Sequence, residues 1–348
     1  MKYDIKVLSK FGIDVMIKAG LDEKEAGLFI DSLTFADLRG IGSHGLARLI
    51  TYSKRVESGI VAKNVVPKIL SDSGAAITVD GLNGIGVSIG IQVMDMCIER
   101  AKKYGICSAT VENGNHFGTG AYFTMHAARN NMIGFAICNS EAAVVPDGGA
   151  KAMLGTNPLS VAVPAKRHPA MVLDMATSVV ARGKVLLAEK EHKAIPDSWA
   201  VDANGVPTTN PTRALDGAML PFGGPKGYAI SLLIDILCSS LGGALDCRKT
   251  SNFRNDFENP QNVGYFIGAL DISKFVQFDE FTERVDAMFD EFKACPTAPG
   301  VKEVMIPGEI EHLNYLKNLD GGIELSDLLV AELVSLAEKY GVQHPFKI

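Results

Sequence analysis

From about residue 65 onward the chain breaks into short β-branched runs set apart by glycine, and this texture limits the fold more than any composition figure does. Runs at Ala76 to Asp80, Ser108 to Glu112, Ile133 to Cys138, Leu159 to Pro164, Met171 to Asp174 and Tyr265 to Ala269 read as strands. Helical stretches near 87–104, 121–130, 228–241 and 280–293 interrupt them. The alternation is too irregular for a doubly wound sheet, so the spacing predicts a mixed α/β core. The first sixty residues read as helical instead. Asp22 is placed to cap a helix with Glu25 as its partner, Ala26, Phe29, Ile30, Leu33 and Ala36 form its apolar face, and Gly40 closes it. A second helix is expected from Ser43, as cap, through Leu46, Leu49 and Ile50 toward Gly59, with His44 and Arg48 on its first turns. A last helix, capped by Ser326 and stopped near Gly341, carries Leu329, Leu333, Leu336 and Ala337 on one face.

Composition narrows the partners. With 34 Lys and Arg against 40 Asp and Glu, the formal charge is -6, and no general positive field exists to hold nucleic acid or an acidic membrane. A small molecule is the expected partner. The chain has 348 residues, 47% of them hydrophobic, enough for one large domain or two ordinary ones. Its six cysteines, at 97, 107, 138, 238, 247 and 295, form no CxxC pair and read as reduced, buried and cytoplasmic. The N-terminal segment has no apolar run of signal-peptide length, and no stretch approaches the ~20 apolar residues of a membrane span.

Several motifs put polar groups beside glycine. Arg39-Gly40-Ile41-Gly42-Ser43-His44-Gly45-Leu46-Ala47-Arg48 gathers an imidazole, a hydroxyl and two guanidiniums; it suits proton exchange near neutral pH, and equally a capped helix start with a solvated histidine. Gly114-Asn115-His116-Phe117-Gly118 follows a strand, where site residues often sit, although a loop histidine bonded to backbone fits too. Gly155-Thr156-Asn157-Pro158 and Asp174-Met175-Ala176-Thr177 lie at the ends of apolar strands and are, singly, ordinary turns. Gly223-Gly224-Pro225-Lys226-Gly227 opens an apolar helix whose N–H groups and lysine suit an anion such as a pyrophosphate. The nearest approach to a dinucleotide fingerprint, Gly84-Ile85-Gly86-Val87-Ser88-Ile89-Gly90, is one residue too long and reads as a turn into a helix. No HExxH, clustered His/Cys pattern or GxSxG occurs, and Glu309-Ile310-Glu311-His312 lacks a second histidine, so no metal is expected.

Taken in order, DLRGIGSHGLARL, GNHFGTGAYF, PDGGAKAMLGTNPLSVAVPA, LDMATS, ARGKV, IPDSWAVDANGVPTTNP, FGGPKGYAISLLIDIL and MIPGE resemble the type 2 malate/L-lactate dehydrogenase family, which also holds ureidoglycolate dehydrogenase and related keto-acid and cyclic-imine reductases. The likeness runs from about residue 2 to 345. It implies a nicotinamide-dependent oxidoreductase with a non-Rossmann α/β fold, in which a mixed-sheet core at 65–300 binds NAD. An interleaved helical region, 1–64 plus 301–348, would then contribute to the substrate site and to a homodimer.

By motif position, the resemblance makes His44 the proton-transfer histidine with Ser43 beside it, puts Arg48 where the substrate carboxylate and cofactor are held, and makes His116 a second active-site histidine. Which of the two moves the proton stays open. Ser140, Asp174, Met175, Ala176, Gly224, Lys226, Gly227, Pro307, Gly308 and Glu309 are the implied cofactor contacts, and Pro307-Gly308-Glu309, standing apart from the core strands, is expected to close over the cofactor. The implied chemistry is hydride transfer between NAD, or NADP, and C2 of a small 2-hydroxy acid. Malate comes first, with ureidoglycolate or lactate as alternatives. For the far end of the substrate, Arg39, Arg182 and Lys184 offer charge, while Ser43, Asn115, Thr156 and Asn157 offer neutral pairing. Two positions depart from the family pattern: Pro225 stands where many members have an aromatic residue or histidine, and Gly42 replaces a more usual polar residue. The GPKGY and IPDSWAVDANGVPTT segments look closest to the ureidoglycolate branch.

Overall fold

The computed structural model describes residues 1–346. A short strand β1 (Lys2–Tyr3) leads into α1 (Ile5–Ala19), which turns Leu8, Phe11, Val15 and Met16 inward and stops at left-handed Gly20. Helix α2 (Glu23–Leu38) starts at Asp22, whose carboxylate accepts from Glu25 N at 2.7 Å. The expected reciprocal bond from Glu25 is absent, because its carboxylate accepts from Asn64 N at 2.6 Å and Asp22 N donates to Asn64 Oδ1 at 3.0 Å. The helix expected from Ser43 begins later, as α3 (Leu49–Glu57). Before it run two 3-10 turns, Gly42–His44 and Leu46–Arg48, broken by extended Gly45. Asp37 Oδ2 accepts from Leu46 N at 2.8 Å, anchoring the chain where a regular helix would run through, and Ser43 caps nothing.

The core sheet is built from β2 (Lys68–Asp72), β3 (Ala76–Asp80), β4 (Ile106–Gly114), β5 (Met132–Cys138), β6 (Leu159–Val163), β7 (Met171–Met175) and β10 (Val263–Asp271), in the order β2-β3-β4-β10-β5-β6-β7. Only β3 and β4 pair in parallel, joined by α4 (Gly86–Tyr104); the other neighbours are antiparallel. The mixed core expected from the spacing is therefore the observed one. Two antiparallel steps restore direction, so β4, β5 and β7 all point the same way and end at one edge of the sheet. That edge carries the site. Helices α4 and α5 (Gly120–Arg129) pack on the sheet with α2, and their apolar faces merge in one main core.

A satellite lobe around Val180, Val185, Ile195, Ala200 and Ala214 has its own small core under α6 (Arg182–Lys190), the β8 (Ala200–Val201) and β9 (Ala218–Met219) pair, and α7 (Pro211–Asp216). Helix α8 (Pro225–Asp235) runs into a π-helical turn at Ile236–Ser240, and α9 (Phe278–Lys293) follows β10. The chain ends with α10 (Glu309–Gly321), β11 (Ile323–Glu324) and α11 (Asp327–Tyr340), capped by Ser326 and closed by Gly341 as the sequence suggests. Strand β11 pairs with β1, α10 packs on α2, and α11 on α1 and α3, so the two chain ends share one helical layer. Five cysteines are free and buried; Cys295, expected to be buried, is exposed, since it lies past the end of α9.

Candidate active site

Glycine sets the position of the first site loop. An added Cβ at Gly86 would lie 2.2 Å from Asn115 O and 2.4 Å from His116 O, so only glycine lets the start of α4 underlie the chain leaving β4. His116 N donates to Gln261 Oε1 at 2.9 Å, and the Tyr265 hydroxyl donates to Asn115 O. His116 is thereby held at the sheet edge, where the His44 turn brings a second imidazole over it. The two rings stack with centroids 5.6 Å apart and planes 14° apart. Residues 72 positions apart in the chain thus meet, as the resemblance implied.

Each histidine has a hydroxyl at Nδ1. Ser43 Oγ lies 2.9 Å from His44 Nδ1, and Tyr52 Oη lies 2.5 Å from His116 Nδ1. The aromatic floor is Phe253, stacked 4.6 Å from His116 and edge-on to Tyr52 at 5.0 Å. Arg48, Tyr52 and Arg55 recur on one face of α3, and both guanidiniums also lie over Phe253, at 5.9 and 5.5 Å. Arg48 Nε donates to Ser43 O at 2.7 Å, which couples this face to the His44 turn.

Burial, reinforced by the fields of Arg48 and Arg254, lowers the His44 pKa to about 4. The His116 pKa falls well below its ordinary value through burial first, then through His44, Arg48 and Arg254. Both imidazoles are neutral at pH 7 and free to accept a proton. Burial and Arg254 together bring Arg48 down to about 10, still cationic. Neither Arg48 nor Arg254 forms an ion pair among the described residues, although the charge of Glu141 reaches both. Two unpaired guanidiniums whose fields reach two neutral bases have the chemistry to hold an anion and accept a proton.

Not every expected substrate contact is free in this way. Asn115 spends its amide on Asn83 O, Asn83 Oδ1 and Gly84 O, at 3.1, 2.9 and 2.9 Å. Asn157 is fully buried, donating to Ser231 O at 2.9 Å and accepting from Ser140 N at 3.2 Å. Thr156 joins the same lock: its N–H donates to Ser140 Oγ at 3.2 Å and its carbonyl accepts from Thr177 N and Oγ1. The bonds these three make hold loops, since strand ends that turn inside the protein must satisfy their polar groups; Asn115 Oδ1 alone is left buried without a partner among the described residues. Arg39, a candidate for charge, is buried against Phe35 in the fields of Glu311 and Asp174. Arg182 lies within the field of Arg254.

The expected cofactor residues line the same sheet edge beyond the histidines. Thr177 O accepts from Phe222 N at 3.0 Å, which brings Asp174-Met175-Ala176 beside Gly223-Gly224-Pro225-Lys226-Gly227. Gly224 has φ 61° and ψ -116°, and an added Cβ would meet Asp147 Oδ1 at 3.3 Å; with Pro225 at the first helical position, the opening turn of α8 presents backbone. Lys226 makes no ion pair among the described residues. The N–H groups of Gly224, Lys226, Gly227 and Tyr228 donate to the carbonyls of Pro221, Gly223, Phe222 and Gly224, so it is the helix N-terminus and the free lysine that fit a pyrophosphate. Asp174 contributes less freely: Oδ2 accepts from Ala121 N at 2.9 Å, and burial raises its pKa to about 6.

Pro307-Gly308-Glu309 does not stand apart from the strands, as was expected. Val172 N donates to Pro307 O at 2.9 Å, Lys293 Nζ pairs with Glu309 Oε1 at 2.7 Å, and Ile306 N donates to Glu309 Oε2. The turn is fastened to the edge of β7 because a bare edge strand leaves donors that something must take. Sequence reasoning missed Tyr52, Phe253, Arg254 and Gln261. The first was readable from the Arg48, Tyr52, Arg55 spacing; the others lie on an irregular segment with no periodic signal.

The family model described as malate/L-lactate dehydrogenase matches residues 3–334. An L-sulfolactate dehydrogenase of Methanocaldococcus jannaschii is 38% identical over 333 residues, covering 96% of this chain and 95% of the relative. The ureidoglycolate dehydrogenase (NAD(+)) of Escherichia coli K12 is 33% identical over 349 residues, covering 99% of each chain. Among solved structures, malate dehydrogenase from Pyrococcus horikoshii OT3 superposes with a TM-score of 0.91 at 33% identity, over 99% of this chain and 97% of that one.

Proposed function

The chain belongs to the malate/L-lactate dehydrogenase family, and from that premise we propose that it oxidises a 2-hydroxy acid bearing a second anionic group, with malate as substrate and NAD as cofactor. The observation that carries the reading is a pair of unpaired guanidiniums, Arg48 over Phe253 and bonded to the His44 turn, and Arg254, whose field reaches both neutral histidines. One arginine takes the C1 carboxylate and the other takes the far anion, which fixes C2 between them. His116 Nε2, which has no protein partner among the described residues, accepts the hydroxyl proton as the O–H bond breaks. A bound nicotinamide supplies the acceptor for the C2 hydride, and C2–O becomes a carbonyl. The rim of Ser140, Met175, Ala176, Gly224, Lys226 and Pro307-Gly308-Glu309 holds that cofactor, with Lys226 and the α8 N-terminus at its phosphates. Ser43 orients His44, whose neutral ring covers His116.

Ureidoglycolate ranks lower here. Its neutral urea offers no second anion for an arginine; Asn157 pairs both ends of its amide within the protein and Asn115 spends its NH2, so that of these two amides only Asn115 Oδ1 stands without a partner among the described residues. Sulfolactate is the second reading, since it differs from malate only in the far anion, and a 38% identical relative bears that name. The test is steady-state kinetics with NADH and NADPH against oxaloacetate, sulfopyruvate and pyruvate, and with NAD against ureidoglycolate. Oxaloacetate or sulfopyruvate should exceed pyruvate in kcat/KM by about 10²-fold or more, because a buried cation left unpaired is costly. Arg254→Gln should erase that preference while sparing pyruvate. Equal rates on oxaloacetate and pyruvate, or turnover of ureidoglycolate alone, would refute the assignment.

A further inference from the structure

Tyr52 is buried at 3% exposure, four residues after Arg48 on α3, and is gripped edge-on by Phe29 at 4.6 Å and Phe253 at 5.0 Å. Its hydroxyl touches His116 twice, at Nδ1 (2.5 Å) and at the carbonyl oxygen of the same residue (3.0 Å). A phenol has one proton to give, and a carbonyl can only accept. Were that proton directed at Nδ1, the phenol and carbonyl oxygens would face each other at 3.0 Å with no hydrogen between them. The arrangement that satisfies all three atoms sends Oη–H to His116 O and has Nδ1–H donate to Oη.

From this geometry we infer that Tyr52 is a positioning residue that holds His116 in its Nδ1–H tautomer and so leaves Nε2 unprotonated toward the cleft. Burial raises the phenol pKa, so Tyr52 stays protonated and is itself no base. When Nε2 takes the substrate proton, the imidazolium that forms keeps its Nδ1–H bond to Oη, and the ring does not turn. The two contacts to one residue fix ring rotation as well as tautomer. Phe253 stacked at 4.6 Å leaves the ring no other resting place on that side. The catalytic consequence rests on the dehydrogenase reading above; the tautomer does not.

The experiment is nitrogen-15 NMR of the imidazole nitrogens in the full chain labelled at histidine, with the His116 signals assigned by loss in His116→Gln. The wild type should show His116 protonated at Nδ1 and bare at Nε2 across about pH 6–8. In Tyr52→Phe the ring should shift toward the Nε2–H form, and kcat should fall by between ~10 and ~10⁴-fold, the upper figure being that for a triad histidine held in the wrong tautomer. KM and NADH affinity should change by less than about threefold. A wild-type His116 protonated at Nε2 would overturn the inference without any variant, which covers the case in which Tyr52→Phe does not fold. So would a folded Tyr52→Phe that keeps either the tautomer or the full kcat. A wild type inert toward every 2-hydroxy acid sinks the functional reading, while the spectrum still decides the tautomer.

Discussion

The histidine cleft and the cofactor rim lie on one sheet edge and are made of different material. The cleft is built from side chains: two imidazoles, two hydroxyls and the Arg48 guanidinium, each aimed by a neighbour, with the field of Arg254 reaching them. The rim is built largely from backbone, with the turn at Gly223-Gly224, the strand end at Met175-Ala176 and the turn at Pro307-Gly308 tied together by main-chain bonds. Side-chain chemistry is lost in one substitution. A backbone path survives most substitutions and yields only when main-chain bonds or allowed dihedrals change. If the comparison holds, changes in the cleft act on kcat and are steep, whereas changes in the rim act on cofactor affinity and are shallow.

The largest effect belongs to His116→Ala, which should lower kcat by about 10²–10⁴-fold while NADH binding, followed by fluorescence, persists. Near-normal kcat in both His116→Ala and His44→Ala would break the comparison at its centre. Gly86→Ala comes next, although it removes no functional group. Its Cβ must displace the backbone carbonyls of Asn115 and His116, and a shift of about 1 Å in a reacting group can cost roughly 10²-fold. A kcat for Gly86→Ala within about twofold of wild type would show that the loop adapts and that its placement is not what drives the rate.

Much of this division was legible in the letters, and for physical reasons. Taken alone, the His44 and His116 motifs fit ordinary turns as well as a site, and it is the order of motifs that singles them out, whereas the strand from Ala76 to Asp80 is legible to the residue because β-branched alternation is a local signal. Helix α1 falls in the segment expected to be helical but without bounds, although Leu8, Phe11, Val15 and Met16 mark its face, and Ser43 is no cap because Asp37, six positions earlier, takes the backbone contact. What the letters could not carry is how buried polar groups spend themselves. Asn115 and Asn157 have the chemistry of ligand contacts, and only the packed structure shows Ser231 and Ser140 holding both ends of Asn157 and Asn83 taking the NH2 of Asn115 while its Oδ1 stays without a partner among the described residues. Arg254 is the converse: nothing local marks it, and a segment without periodicity delivers it to the histidines.

On the rim, Lys226→Ala should raise the dissociation constant for NADH by about tenfold, the worth of one charge–phosphate contact, with kcat at saturation within about twofold. Isothermal titration and steady-state rates together separate the two. A kcat loss as large as that of His116→Ala would erase the distinction between the regions.

The smallest effect is a displaced pH limb, and it tests whether the two regions are also electrically distinct. Burial first, then the fields of Arg48 and Arg254, hold the His44 pKa at about 4 and carry that of His116 well below its usual value. A base must be neutral to accept a proton, so oxidation of the hydroxy acid should persist on the acid side of pH 6.5, with kcat/KM falling only as the pH drops through the lowered values. The sign for reduction is opposite, since that direction needs an imidazolium and gains as pH falls. Arg254→Gln removes one of the positive fields, which for His116 also come from His44, Arg48 and Arg55, so the histidines become easier to protonate and the acid limb of oxidation should move up. Because burial outweighs the arginine fields, the move should stay under about one unit, a few-fold in rate near the limb. Lys226→Ala, removing a charge of the same sign from the rim, should leave the limb in place. Profiles of kcat/KM for all three proteins, measured at constant ionic strength, decide it: equal shifts in both variants would mean that one field covers the whole edge, and the two regions would have to be treated as a single electrostatic unit.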